Sequence, residues 1–148
     1  MILVAGVLTV KDNKILMVQE SKKGCYGQWN FPAGSVEENE LITDAAIRET
    51  YEETGCKVKL TGALPISTSI LKNGNTVIKF LFKAEIVDEN IKVDKEKQLD
   101  VQWIEIDRIK NMTKDELRSY ETSIDDINNL ETGKIYPIEI YEDNIYIR

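Results

Sequence analysis

The sequence predicts a single α+β domain in which helices cover a mixed β-sheet on both sides, an αβα arrangement. Three observations lead to this interpretation. Apolar, β-branched segments recur along the chain, two helical patterns lie far apart among them, and no linker, repeat or low-complexity tract interrupts residues 1–148. The length of 148 residues is that of one ordinary domain, long enough to bury a substantial core.

The first predicted elements are a β-hairpin and a long loop. Residues 2–10 are apolar and β-branched, the polar residues 11–14 predict a turn, and residues 15–18 resume the apolar pattern. Residues 20–34 are rich in glycine and polar side chains. They predict a loop that contains a short extended piece at residues 29–31.

A helix is predicted over residues 41–54, because four side chains fall on one side at helical spacing: Ala46, Ile47, Thr50 and Thr54. Gly55 follows as a helix stop. Strands are predicted next over residues 57–70, with an interruption at Pro65, and over residues 76–87.

A hairpin turn at Asn73 and Gly74 should join these strands, and a short strand should follow over residues 101–106. A second helix is predicted from Thr113, whose spacing to Glu116 matches a capping box. Its apolar residues recur at steps of three and four, and Gly133 should end it: Leu117, Tyr120, Ile124, Ile127 and Leu130. Alternation over residues 135–147 predicts one or two edge strands.

The composition excludes several kinds of active site. The chain has no histidine, which rules out Ser-His-Asp and Cys-His catalysis and any His-ligated zinc site within it. A general base would then be a carboxylate or a lysine, and a metal ion would be held by oxygen atoms. The 26 acidic residues favour hard ions such as Mg²⁺ or Mn²⁺.

The net charge and the lengths of the apolar runs indicate which kinds of partner the protein can bind. The net charge of −7 argues against a nucleic-acid partner, although a bound cation would still admit small phosphorylated substrates. No apolar run is long enough to span a bilayer, no signal-peptide pattern is present, and Cys25 and Cys56 are too few for a disulfide scaffold. We therefore expect a cytoplasmic protein without a membrane partner; the sequence leaves a homodimer open.

Three glutamates form the most informative pattern. Glu49, Glu52 and Glu53 are spaced i, i+3 and i+4, so they should project from one side of the predicted helix, roughly opposite the apolar stripe. Like charges at this spacing repel by a few tenths of a kcal/mol per pair, and a divalent cation would relieve that repulsion. On spacing alone, an acidic helix face exposed to water is the simpler interpretation.

The surrounding residues favour the cation. The stretch resembles the Nudix box, G-x5-E-x7-R-E-U-x-E-E-x-G-U with U aliphatic, and it has all seven fixed residues: Gly34, Glu40, Arg48, Glu49, Glu52, Glu53 and Gly55. With background frequencies of about 6–7% per residue type, seven such matches arise by chance roughly once in 10⁸ starting positions. Thr50 and Cys56 stand where the family usually has an aliphatic residue, and both are small enough to be buried.

The resemblance extends beyond the box. Residues 29–34 resemble the W-x-x-P-G/A-G segment that precedes the box in many members, and Trp103 lies in a segment similar to a strand near the family's active site. Residues 76–86 and 133–139 resemble the branch of small bacterial NudJ-like phosphatases. Those act on nucleoside di- and triphosphates and on hydroxymethylpyrimidine diphosphate.

The resemblance implies an αβα sandwich with a loop-helix-loop catalytic motif, and hydrolysis of a phosphoanhydride in a nucleoside diphosphate linked to another group. It implies that Glu49, Glu52 and Glu53 bind Mg²⁺ or Mn²⁺, with the Gly34 carbonyl as a further ligand. It also implies that Arg48 orients the carboxylates, whereas Glu40 and Gly55 have supporting roles.

Other roles stay open in the sequence. Family members differ in which glutamate deprotonates the attacking water, so Glu96, Asp100 and Glu105 are candidates outside the box. Lys22 and Lys23 could supply cations beside a phosphoryl group, or could be loop lysines in water. Trp29 and Tyr26 could stack on a base, with core packing the alternative for Trp29 and surface exposure for Tyr26.

Two further functions compete with hydrolysis of small nucleotides. One is a nucleotide-sensing module without catalysis, which the intact set of glutamates disfavours. The other is an RNA 5′-end pyrophosphohydrolase, which the net charge of −7 and the lack of a basic stripe disfavour.

Overall fold

The computed structural model describes residues 1–142, which form eight strands, three helices and a short 3₁₀ turn at Ile138–Ile140. The strands are β1 (Ile2–Lys11), β2 (Lys14–Glu20), β3 (Trp29–Asn30), β4 (Ala33–Ser35), β5 (Lys57–Ala63), β6 (Ser67–Ile70), β7 (Thr76–Asp88) and β8 (Gln98–Glu105). The helices are α1 (Ile42–Thr54), α2 (Ile106–Lys110) and α3 (Tyr120–Glu131). None of them is long and apolar enough to cross a membrane.

The sheet is mixed, as predicted. Its two longest strands, β1 and β7, run parallel to each other over eight residue pairs, from Ile2 opposite Val77 to Thr9 opposite Ala84. The other pairings are antiparallel: β5 and β6 pair with β7, β4 pairs with β1, and β3 and β8 pair with β2. β1 meets β2 through only two residue pairs beside their turn, so the sheet opens between them.

Helices cover both faces of this sheet, which confirms the αβα arrangement. Alternating side chains of a strand point to opposite faces. Val7 and Phe82 accordingly pack with α1, whereas the adjacent Leu8 and Leu81 pack in a second cluster with α2 and α3.

Both predicted hairpins are present. Asp12 and Asn13 have φ of 51° and 60°, the left-handed values that a tight turn between β1 and β2 requires. Gly74, at φ 87°, closes the turn between β6 and β7. The predicted stop at Gly55 also holds: its φ is 80°, and its N–H donates to the Tyr51 carbonyl at 2.8 Å.

The predicted start of the second helix is wrong. The Glu116 carboxylate accepts from the Thr113 N–H at 3.2 Å, as in a capping box, but α3 begins only at Tyr120. Leu117 instead forms a bridge with Trp29 and is fully buried. Tertiary pairing thus overrides the local helical pattern. The short helix α2, which follows β8 directly, carries too few residues to show a period and was not predicted.

The tail differs from the edge strands that its alternation predicts. Within residues 135–142, Tyr136 forms an isolated bridge with Ala63 and the chain then makes the 3₁₀ turn. Tyr141 packs against Phe82, with ring centroids 4.9 Å apart. The rest of the predicted strand, residues 143–147, lies outside the described residues.

Candidate active site

Arg48 connects the loop before α1 to the acidic residues on the helix. Its guanidinium donates to both carboxylate oxygens of Glu40, at 2.6 and 2.9 Å. The hydrogen bond to Glu40 is the main reason why the pKa of Arg48 is raised above its usual value, and it lowers the pKa of Glu40 in turn. Nη2 also donates to the Ser35 carbonyl at 3.0 Å, so the same side chain fixes the loop.

The same guanidinium also binds two glutamates on the helix of the box. Nη1 of Arg48 donates to Glu49 at 2.9 Å and to Glu52 at 3.2 Å. A bidentate pair with Glu40 and these two further bonds neutralise part of a strongly acidic cluster. Arg48 thus hydrogen-bonds Glu40, Glu49 and Glu52, the contacts that its predicted orienting role requires.

The three glutamates do not share one exposed face. The Glu52 side chain is 49% exposed, that of Glu49 is only 14% exposed, and Glu53 is partly buried. At 100° per residue, Glu53 falls only about 20° from Ala46, one of the buried residues of the stripe. The expectation that all three lie opposite the apolar stripe is wrong; only Glu52 does.

Burial changes the chemistry of Glu53. Loss of water raises the pKa of Glu53 to about 8, and the charges of Glu49 and Glu20 add to the rise. A backbone hydrogen bond from Ala33 and the charge of Lys22 act in the opposite direction. The carboxylates of Glu49 and Glu20 thus lie near enough to Glu53 to raise its pKa.

Gly34 gives Glu49 room beside the loop. It lies in β4, opposite Ala5 of β1, and a Cβ on Gly34 would overlap the Glu49 carboxyl group. Any other residue at this position would displace that carboxyl group. The glycine of the box is therefore required here for close approach of a side chain.

The donors in this cluster suit a hard cation. All are oxygen atoms, and a divalent ion would relieve the repulsion from Glu49 and Glu20 that adds to the effect of burial on the pKa of Glu53. Among residues 1–142, however, no three Asp, Glu or Cys side chains are already arranged to hold a metal ion. Two of the glutamates are bound to Arg48, so we expect their carboxylates to move when a cation binds.

Thr50 and Cys56, the two departures from the family pattern, are fully buried. Thr50 Oγ1 donates to the Ala46 carbonyl at 2.8 Å, one helical turn earlier. This bond satisfies the hydroxyl in the core, as expected for a threonine in an aliphatic position.

A cleft of about 370 Å³ lies beside the box, and Gly34 forms part of its wall. Its charged lining residues are all cations: Lys22, Lys79 and Arg118. Hydroxyl groups supply most of its remaining polar lining: Ser35, Ser67, Thr68, Ser69, Ser119, Thr122 and Ser123. In a chain of net charge −7, such a lining favours an anionic ligand.

Buried carboxylates lie behind two of these cations. Lys79 Nζ is 3.0 Å from Asp126 Oδ2, and burial raises the pKa of Asp126 although the charge of Lys79 opposes the rise. Arg118 Nη1 is 3.0 Å from Glu20 Oε1, whose side chain is 9% exposed. These partners hold the two cationic side chains in place.

Sequence reasoning did not identify Glu20, Lys79 or Arg118. Glu20 ends β2 at a bulge, where the pairing with β8 skips Leu99, and bulges often redirect a side chain beside an active site. Arg118 lies 98 residues further along the chain. No local pattern signals a pairing of this kind, which depends on the sheet.

The other predicted binding residues lie in different places. Lys22 lines the cleft, whereas Lys23 and Tyr26 are exposed outside its lining. Trp29 is 8% exposed, packs in the core beside α3 and does not line the cleft. Its placement fits the packing alternative.

The candidate bases outside the box are also absent from the cleft lining among the described residues. Glu96 is exposed in the loop before β8, and its N–H donates to Asp94. Asp100 accepts from Gln102 Nε2 at 2.6 Å. Glu105 pairs with Lys14, at the opposite end of β2 from Glu20.

Comparisons with known proteins support the resemblance to the Nudix box. Residues 2–124 match the NUDIX domain family. The chain is 29% identical over 135 residues to "Phosphatase NudJ" of Escherichia coli O1:K1 / APEC, covering 89% of this chain and 84% of that protein. It is 36% identical over 95 residues to "8-oxo-dGDP phosphatase NUDT18" of Danio rerio, covering 64% of this chain but only 28% of that protein. The chain thus spans less than a third of the length of several curated relatives.

A solved structure, "NUDIX hydrolase from Nitrosomonas europaea", superposes with a TM-score of 0.84 at 27% identity and 97% coverage of both chains. The family match covers most of the chain and contains the whole box. This chain belongs to the Nudix family.

Proposed function

We propose that this protein hydrolyses a phosphoanhydride bond in a small nucleoside di- or triphosphate or a related diphosphate, with Mg²⁺ or Mn²⁺. The observation that carries the proposal is the position of the acidic cluster around Glu49 and Glu53 beside a cleft whose charged lining residues are all cations. One side can hold a metal ion and the other can hold an anion. The phosphatase activities in the names of two relatives support the same reaction class.

The box residues supply the parts that this reaction needs. Glu49, Glu52 and Glu53 would hold the metal ion, with the Gly34 carbonyl as a further ligand. When bound, the ion would lower the pKa of water and screen the phosphate charge. Arg48 keeps Glu49 and Glu52 oriented, and Lys22 and Arg118 offer positive charge to the phosphate groups.

A carboxylate must accept the proton of the attacking water. Glu53 is our first candidate for this role, in place of metal binding, because the backbone of Ala33 in the cleft wall hydrogen-bonds its carboxyl group. Glu96, Asp100 and Glu105 remain weaker candidates, since no described contact joins them to the cluster of Glu49 and Glu53.

A panel of nucleotides tests the proposal. The purified chain, with Mg²⁺, is incubated with nucleoside di- and triphosphates, hydroxymethylpyrimidine diphosphate and a 5′-triphosphorylated RNA, and released orthophosphate and pyrophosphate are measured separately. We expect turnover of small diphosphates or triphosphates. A response to the RNA alone would favour the RNA alternative, and binding without turnover would favour a sensing module.

The volume of the cleft and the net charge of the chain favour a small nucleotide over RNA as the substrate. A volume of about 370 Å³ suits a small molecule. The net charge of −7 disfavours an RNA chain as the substrate. Matched measurements with Glu53→Gln identify any contaminating hydrolase, since its activity would be unaffected by this substitution.

A further inference from the structure

Arg118 is a cleft residue whose position is fixed from several directions. Its backbone N–H donates to the Trp29 carbonyl at 2.9 Å, and its own carbonyl accepts from the Ser123 hydroxyl at 2.8 Å. The Trp29 N–H in turn donates to the Glu116 carbonyl at 2.8 Å. The segment before α3 is therefore fastened to β3, and Arg118 cannot shift far from the cleft wall.

The Arg118 side chain is fastened at its tip as well. Nη1 donates to Glu20 Oε1 at 3.0 Å, and the same oxygen accepts from Asn30 Nδ2 at 3.2 Å. Glu20 is 93% buried, which makes its bond to a charged partner strong. The Arg118 side chain is nevertheless 38% exposed, so part of it remains available to a ligand in the cleft.

Resting on the function proposed above, we infer that Arg118 is a substrate-binding residue that contacts the phosphate groups and that Glu20 is the positioning residue that holds it. Glu20 lies close enough to Glu53 for its charge to affect that residue. Arg118 thus lies where the cationic cleft meets the acidic cluster of the box.

The chemistry of the guanidinium favours phosphate as its ligand. A guanidinium has five donors in a planar fork, and among the described contacts the Arg118 side chain uses only Nη1, on Glu20. The remaining donors match two phosphate oxygens, a geometry that a lysine ammonium reproduces only as a point charge. Lys22 and Lys79 add positive charge to the same cleft.

Binding of inorganic pyrophosphate with Mg²⁺, measured by calorimetry, tests this inference without requiring turnover. The variants are Arg118→Gln and Arg118→Lys, with Arg108→Gln on the exposed side of α2 as the matched control. We expect the Kd to rise about tenfold or more for Arg118→Gln, by less for Arg118→Lys, and not at all for the control. A Kd for Arg118→Gln within twofold of the original protein would overturn the inference.

Folding must be checked separately, since Arg118→Gln leaves Glu20 buried without its charged partner. The double variant Glu20→Gln with Arg118→Gln removes both charges, and urea unfolding shows whether it stays folded. A folded double variant that bound pyrophosphate normally would also contradict the assignment.

Failure of this inference and failure of the proposed function can be told apart. If the protein hydrolyses a nucleotide, we expect Arg118→Gln to raise KM much more than it lowers kcat, which a merely structural role would not do. If no substrate is hydrolysed but Arg118→Gln still weakens pyrophosphate binding, Arg118 binds phosphate and the proposed reaction is wrong. Absence of pyrophosphate binding by the unsubstituted protein would overturn the inference about Arg118.

Discussion

Gly34 and Glu49 approach each other so closely that one methyl group on the glycine would occupy the place of the glutamate's carboxyl group. We therefore expect Gly34→Ala to move the Glu49 carboxylate and to lower kcat/KM about a hundredfold, since small misplacements of a catalytic group have costs of this size. Stability should change by about 1 kcal/mol or less, because the displaced atoms are the end of a flexible side chain. Steady-state kinetics and urea unfolding measure the two effects.

Gly62→Ala is the matched control for this substitution. Gly62 also lies in a strand, and a Cβ there would meet the side chain of Ile135. Ile135 packs against the core cluster that contains α2 and α3. We expect similar stability loss with normal kinetics. Equal activity loss in the two variants would show that Gly34 has no special relation to the site.

Glu53→Gln should separate activity from stability. It keeps the shape of the side chain and removes its charge, so turnover should fall by orders of magnitude if Glu53 binds the metal ion or accepts the proton. The metal-free protein should become more stable at pH 8 by at least about 1 kcal/mol, because a charge no longer has to be buried. Near-normal turnover, or loss of activity through unfolding, would refute the role of Glu53.

The pH dependence of stability follows from the same carboxyl group. In the metal-free protein, Glu53 has a pKa of about 8, against an ordinary value of 4.5 in the unfolded chain. Between these values the folded state holds the extra proton, so its stabilising contribution is complete below pH 4.5 and is lost as the pH rises towards 8. The unfolding free energy of the original protein minus that of Glu53→Gln, measured at each pH, should therefore fall over this range. A flat difference across that range would contradict it.

Removal of divalent ions should abolish turnover without unfolding the protein. Arg48 joins the loop and the helix of the box through its own hydrogen bonds to Glu40 and Ser35. We expect EDTA to stop hydrolysis, Mg²⁺ or Mn²⁺ to restore it, and circular dichroism to stay unchanged throughout. Added Mg²⁺ should raise the unfolding temperature of the original protein more than that of Glu53→Gln. Full activity in metal-free buffer would exclude a metal requirement.

Thr50→Val should leave the chemistry unchanged. The hydroxyl donates only to the Ala46 carbonyl among the described contacts, so its loss should cost at most about 1–2 kcal/mol. Thr54→Val is the informative comparison, because Thr54 Oγ1 both donates to the Thr50 carbonyl at 2.6 Å and accepts from the buried Cys56 N–H at 3.1 Å. We expect Thr54→Val to lower the free energy of unfolding by more than Thr50→Val does. A loss of turnover in a folded Thr50→Val variant would reveal a chemical role for this residue.

Local patterns were sufficient for most of the framework. The turn residues Asn13 and Gly74 and the stop at Gly55 could be predicted because each conformation depends on a few neighbouring residues. Fixed spacing identified the box, since its charges meet across one loop and one helix. The burial of Thr50 could likewise be read from its place on the apolar stripe.

The remaining features depend on contacts between distant segments. Leu117 leaves the helical pattern because it pairs with Trp29, and neither residue signals the other in sequence. Glu20 and Arg118 meet for the same reason. The burial of Glu53 could have been noticed from its small angle to Ala46, but the acidic spacing suggested an exposed face.

The parallel pairing of β1 with β7 has a consequence for how the chain is made. β1 is synthesised well before its long partner, which begins only at Thr76. At about 5–20 residues per second, roughly 4 to 15 seconds of synthesis separate the two strands. During that interval the edge of β1 that pairs with β7 has no strand beside it, because β2 and β4 pair with its other edge. Nascent-chain chaperones then have their clearest opportunity to bind.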